Sequence, residues 1–260
     1  MFKGQTYTGS SFYEFLKLDC PDQLPNFNDL DFSQVVLPHG TTVLALLYED
    51  GALMAGDRLA TEGYQVGTRD IEKVYKIDET CAVAIAGAAG PAIEMVRLFQ
   101  LELEHYQKLD RQDLTFEGKA NRLSFLLRQN LPAAMQGLVV MPLLTGFDHQ
   151  QGKGRIYKYD ITGGRYHEAD YYATGSGGKD ARSSLKKSFH HEGLSRDAAI
   201  DSAIEALVDA ADEDRGTGGF DLPRRIYPTC KLITAKGVED VGDEEILASR
   251  ERVLARGKAS

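Results

Sequence analysis

Three short stretches carry the residue types that nucleophilic catalysis uses. His39-Gly40-Thr41-Thr42 supplies a hydroxyl, Gly56-Asp57-Arg58 a carboxylate, and Glu72-Lys73-Val74-Tyr75 an ammonium. Asp57 follows Thr41 by sixteen residues, and Lys73 follows it by thirty-two. A threonine hydroxyl is a weak nucleophile until a base takes its proton. Singly, each stretch has a plainer reading. Gly-Thr before a strand and Gly-Asp at a strand end are turn signals, and a lysine opening a strand is usually solvated. The six histidines (His39, His105, His149, His167, His190, His191) form no HExxH and no pair four apart, so no metal site is expected. Gly175-Ser176-Gly177-Gly178 is glycine-rich but lacks the Lys-Ser/Thr of a phosphate loop, so no nucleotide site and no cofactor are expected. Three cysteines without a CxxC spacing predict no disulfide framework and fit a reducing cytosol.

The elements that must position these groups follow from patterning. Thr42–Tyr48 is an apolar run closed by Glu49-Asp50-Gly51, a hairpin signal, and Ala52–Ala55 returns as its partner strand. Strands are predicted at 73–77 and 82–86, then a helix from Pro91 to residue 106, since proline suits a first helical turn. Ile93, Val96, Leu98, Phe99, Leu101 and Leu103 cover more than one face of that helix, which predicts burial on two sides, in the core or against another subunit. A second helix is expected at 116–136, strands at 138–145, 155–161 and 166–173, and helices near 178–190 and 196–212. Strands at 226–234 and 238–241 and a charged helix at 244–254 complete the order. Runs of strands separated by pairs of helices argue for a layered α+β fold rather than a parallel βαβ sheet.

A chain of 260 residues can bury about 70–75% of its unfolded surface. Its net charge of −9, with no basic block, disfavours nucleic acid and anionic membrane surfaces as partners. No apolar run approaches the ~20 residues of a membrane span, and residues 1–18 lack a secretory h-region, so a cytoplasmic protein is expected. Residues 1–40 stand apart. They hold seven of the 23 aromatic residues, too many for a disordered tail, which predicts a segment that docks. Ser11 to Glu14 looks like a capping box opening a short helix through Leu18.

Together the three stretches resemble the β-subunits of the 20S proteasome, an N-terminal threonine peptidase family, and the actinobacterial type in particular. The resemblance also rests on Arg69-Asp70-Ile71-Glu72-Lys73-Val74-Tyr75, Ile85-Ala86-Gly87, Gly118-Lys119-Ala120-Asn121-Arg122, Gly163-Gly164-Arg165-Tyr166 and Thr217-Gly218-Gly219, and it spans nearly all of 41–256. It implies the N-terminal-nucleophile hydrolase fold, a four-layer αββα sandwich with two antiparallel sheets. It implies a domain at 41–260 behind a propeptide at 1–40, removed by self-cleavage between Gly40 and Thr41.

The resemblance also implies roles. Thr41 would be the nucleophile, and its freed α-amine, with a pKa near ~7.7–8.0, the base. Lys73 would stabilise alkoxide charge beside it, Asp57 would hold Lys73, and the Gly87 N–H would bind the oxyanion. Ser176, Asp214 and Thr217 would support the amine. Asp212 stays open as an alternative to Asp214, which the spacing to Thr217-Gly218-Gly219 favours. Thr61, Gly87 and Ala89 would pair with an extended peptide as an added strand. Ile71, Ile85, Ala89 and Ile93 would line an apolar pocket, with cleavage after large apolar residues. The expected partners are six further copies in a homo-heptameric β-ring, α-subunit rings, an ATPase ring and unfolded protein substrates. Rival readings are a non-catalytic ring subunit, the shorter bacterial relative that forms hexamer rings, and, outside the family, an acidic binding module with a regulatory tail.

Overall fold

The computed structural model describes residue 18 and residues 40–62, 65–189 and 193–257. The chain divides into two units, Met1–Val35 and Val36–Ser260, and the second contains every described residue except Leu18. The helix expected before Leu18 lies outside the described residues, although Leu18 itself is helical.

Two five-stranded antiparallel sheets form the centre. The first has the order β10-β1-β2-β11-β12, from β1 (Thr42–Tyr48), β2 (Gly51–Gly56), β10 (Tyr171–Gly175), β11 (Thr229–Thr234) and β12 (Gly237–Asp240). The second has the order β5-β6-β7-β8-β9, from β5 (Val74–Lys76), β6 (Cys81–Gly87), β7 (Val140–Asp148), β8 (Lys153–Tyr159) and β9 (Arg165–Glu168). Helices α1 (Ala89–Asp110) and α2 (Phe116–Ala134) cover the second sheet. Helices α3 (Gly178–Ser188), α4 (Arg196–Glu213) and α5 (Asp243–Gly257) belong to the first.

Strand periodicity sorts side chains into three buried layers. Leu44 and Leu46 of β1 pack toward α3–α5, while Val43 and Ala45 face the seam between the sheets. Cys81, Val83 and Ile85 of β6 pack toward α1 and α2, while Ala82, Ala84 and Ala86 face the seam. Both β1 and β6 are buried on both faces, which is why they read as unbroken apolar runs. The seam mixes these small residues with larger ones, Met54, Leu143, Phe147, Ile156 and Ile233.

Two expectations need correction, and one hairpin is new. Residues 166–173 are not one strand. The chain bends at Ala169-Asp170, so β9 stays in the second sheet and β10 crosses to pair with β1 in the first. The Asp170 carbonyl at that bend accepts the Leu47 N–H at 2.8 Å. A hairpin of β3 (Ala60–Glu62) and β4 (Gln65–Thr68) was not anticipated, because β4 is exposed throughout and has no apolar alternation to read. The strand expected from Ile226 starts at Thr229, after Pro228, which has no N–H for a ladder. In α1, Met95, Val96, Phe99 and Leu103 are buried and Leu98 and Leu101 are 41% and 62% exposed, so the chain covers one side and the other is a face of the kind expected against another subunit. Pro91 lies in the first turn of α1, where a missing N–H breaks no helical bond. Among the described residues, no helix is long and apolar enough to cross a membrane.

Candidate active site

The site forms where strand ends of both sheets meet. Thr41 immediately precedes β1, Asp57 follows β2, and Ser176 follows β10, all on the first sheet. Lys73 precedes β5 and Gly87 ends β6, on the second sheet. Ladder bonds set these ends in register: the Asp57 N–H donates to the Thr42 carbonyl at 3.0 Å, and the Ile85 N–H to the Lys73 carbonyl at 3.0 Å.

On one side of Thr41 lies a buried ion pair. Lys73 Nζ is 2.7 Å from Asp57 Oδ1, with the two side chains 6% and 0% exposed. Asp57 is saturated with donors: Oδ1 also accepts the Thr42 N–H at 2.8 Å, and Oδ2 accepts the N–H groups of Leu59 (3.0 Å) and Gly218 (2.8 Å). Such bonding is what permits a carboxylate to remain charged in the interior. Lys73 further donates to the Leu59 carbonyl at 2.5 Å and to the Gly40 carbonyl at 3.2 Å. Burial pushes the Lys73 pKa down, and the charges of Asp57 and Asp214 oppose it without reversing it.

The Gly40 carbonyl has a second donor. Thr41 Oγ1 lies 2.5 Å from that oxygen. The hydroxyl and the ammonium therefore converge on the carbonyl of the bond that joins Gly40 to Thr41. Residue 40 has no room for a side chain, since a Cβ there would lie 2.3 Å from Thr61 Oγ1 and 2.8 Å from the Gly216 carbonyl oxygen.

On the other side lies a chain of hydroxyls ending on one carboxylate. The Thr41 N–H donates to Ser176 Oγ at 3.2 Å, and Ser176 Oγ donates to Asp214 Oδ2. Thr217 Oγ1 donates to the same Oδ2 at 2.6 Å, and Thr42 Oγ1 lies 2.6 Å from Thr217 Oγ1. Asp214 caps the end of α4, and its Oδ1 accepts the Gly216 N–H at 3.0 Å. Asp214, not Asp212, is the acid in this chain; Asp212 is exposed.

Two cavities flank Thr41. One, of ≈ 280 Å³, is lined by every residue expected at the substrate pocket: Thr61, Ile71, Ile85, Gly87, Ala89 and Ile93. It also includes Glu72 and Tyr75, which were not anticipated. The other, of ≈ 310 Å³, is bounded by Thr41, Gly87, Met141 and Ser176. Gly87 lies on both, with φ at +121°, and a Cβ there would meet the Val139 carbonyl oxygen at 2.2 Å. Thr42 is the other residue that sequence reasoning passed over. It was read as part of a strand, and only its burial at 0% exposure with a polar side chain marks it out.

Comparison with known proteins agrees with this geometry. Residues 37–221 match the family described as Proteasome subunit. The chain is 48% identical over 257 residues to a protein of Acidothermus cellulolyticus named Proteasome subunit beta, covering 96% of this chain and 88% of that one. It is 49% identical over 259 residues to the namesake of Rhodococcus erythropolis strain PR4, covering 95% and 88%. It is 47% identical over 249 residues to that of Streptomyces griseus, again covering 95% and 88%. The sandwich, the strand-end site and these likenesses together place the chain in the proteasome β-subunit family.

Proposed function

We propose that Thr41 is the nucleophile of this threonine endopeptidase and that cutting the Gly40–Thr41 bond activates it. The chain is a β-subunit, the catalytic component of the 20S core, and it assembles with other proteasome subunits. The observation that carries the residue assignment is the convergence of Thr41 Oγ1 and Lys73 Nζ on the Gly40 carbonyl.

In self-cleavage, Thr41 Oγ1 adds to the Gly40 carbonyl carbon while Lys73 stabilises negative charge on the carbonyl oxygen. Collapse breaks the C–N bond and leaves an ester, and the proton given up by the Thr41 hydroxyl ends on the Thr41 nitrogen, which becomes an amine. Water hydrolyses the ester, giving a carboxylate at Gly40 and a free hydroxyl and amine at Thr41. Until then the Thr41 nitrogen is an amide and cannot serve as a base, so the precursor is inactive toward other proteins.

In the mature enzyme the amine takes the hydroxyl proton, directly or through a water. Thr41 Oγ1 attacks the substrate carbonyl, the Gly87 N–H binds the oxyanion, and the proton passes to the leaving amine. Water then frees the acyl product. Asp57 fixes Lys73 in place and in charge. Thr61, Gly87 and Ala89 line the cavity where an extended peptide would be held, and Ile71, Ile85, Ala89 and Ile93 supply apolar surface for the side chain before the cut. Residues 1–40 act as the propeptide. Seven copies form the ring, α-subunit rings cap the stacked rings, and an ATPase ring feeds unfolded chains inward, in the cytoplasm.

The test is intact mass after co-expression with a candidate α-subunit, beside Thr41→Ala. The expected wild-type mass is that of a chain beginning at Thr41, with the variant at full length. Two full-length masses would overturn self-cleavage by this hydroxyl.

A further inference from the structure

Thr42 touches both halves of the site. Its side chain is fully buried. Its N–H donates at 2.8 Å to Asp57 Oδ1, the oxygen that also accepts Lys73 Nζ. Its hydroxyl lies 2.6 Å from Thr217 Oγ1.

The direction of that hydroxyl contact follows from proton counting. A carboxylate only accepts, so Thr217 must spend its one hydroxyl proton on Asp214 Oδ2, 2.6 Å away. Thr42 must therefore donate to Thr217. Ser176 likewise spends its proton on Asp214, so its oxygen is left to accept from the Thr41 nitrogen. The result is a directional chain: Thr42 O–H to Thr217, Thr217 O–H to Asp214, Ser176 O–H to Asp214, and Thr41 N–H to Ser176. Each bond in such a chain polarises the next. An amine held as a donor to Ser176 keeps its lone pair for the Thr41 hydroxyl. Gly177 leaves space for the hydroxyl pair, because a Cβ there would lie 2.4 Å from Thr42 Oγ1 and 2.7 Å from Thr217 Oγ1.

We infer that Thr42 is a positioning residue that couples the Asp57–Lys73 pair to the Ser176–Asp214–Thr217 chain and fixes the proton order beneath the Thr41 amine. The inference rests on Thr41 being the nucleophile. Without the Thr42 donor, Thr217 holds Asp214 less strongly, and the carboxylate presents more negative charge to the amine. The amine then stays protonated to higher pH, and the acid limb of activity moves up.

The experiment compares Thr42→Val, Thr42→Ser, Thr217→Val and the Thr42→Val/Thr217→Val double variant, each co-assembled with the α-subunit and assayed on an apolar fluorogenic peptide. Thr42→Val should lower kcat about tenfold, the scale of one hydrogen bond, with KM within about twofold. It should also raise the pH of the acid limb. Thr42→Ser should restore both, and Thr42→Val should cost nothing further once Thr217 is Val. An unchanged kcat, an undiminished loss in the Thr217→Val background, or failure of serine to rescue would each overturn the inference. If the valine particle does not assemble, Thr42→Ala against Thr42→Ser provides the same contrast. Thr41→Ala run in parallel separates the two readings. Turnover that survives it refutes the nucleophile assignment. Turnover that needs Thr41 but ignores Thr42→Val refutes only the coupling.

Discussion

The two sides of Thr41 solve different problems. The Asp57–Lys73 side is a full charge pair sealed from water, its carboxylate accepting from Lys73 and from three backbone N–H groups and its ammonium donating onward to two carbonyls. The Ser176–Asp214 side is built of hydroxyls around one half-buried acid, with Ser176 itself exposed. Buried charges tolerate little rearrangement, because moving either one strands the other. Ser176, near water, can turn, while Thr42 and Thr217 beneath it are held in the interior. The sealed side therefore suits a task that is the same before and after activation, stabilising charge on an oxygen. The hydroxyl side suits the group whose chemistry changes, the nitrogen that begins as an amide and ends as an amine.

Breaking the sealed side should have the largest effect. Lys73→Ala should block self-cleavage, so the chain stays at full length by mass. It should reduce turnover to background, because the Thr41 nitrogen then stays an amide and cannot act as a base. Asp57 is then left without its counter-charge, at a cost of about 3–5 kcal/mol that a thermal melt would register. Breaking the hydroxyl side should cost less. Ser176→Ala removes one contact to the Thr41 nitrogen and should lower kcat about tenfold, read from steady-state rates. The smallest effect sharpens the contrast by pH alone. Because burial depresses the Lys73 pKa, rising pH removes its proton earlier than from a free lysine. Activity should fall on the alkaline side before the ordinary lysine range is reached. A limb at or above that range would show that the pair is not sealed.

Much of this was legible in the sequence because burial writes itself into pattern. Thr42–Tyr48 and Cys81–Gly87 are apolar on both faces, and the strand ends around them carry Thr41, Asp57 and Gly87. What was not legible lacked such a pattern. The β3–β4 hairpin has an exposed second strand and left no alternation, although it lines the cavity through Ala60, Thr61, Gly67 and Thr68. The crossing at Ala169-Asp170 was lost because β9 and β10 each have strand-forming residues and only a short break between them. Thr42 was invisible for a different reason. A buried threonine in a strand is ordinary, and its importance lies in partners that are 15 and 175 residues away.

The seam between the two sheets bears on how such an enzyme would fail. Thr41 and Asp57 belong to one sheet and Lys73 and Gly87 to the other, so the site measures the gap between them like the jaws of a caliper. Ala45, Ala82, Ala84 and Ala86 fill that gap together with Met54, Leu143, Phe147, Ile156 and Ile233. A bulkier residue among them would leave each sheet hydrogen-bonded and each helix docked, yet would draw the ammonium away from the hydroxyl. Such overpacking should lower turnover more than stability, which makes the seam, whose Ala86 borders the cavity beside Thr41, part of the enzyme's calibration.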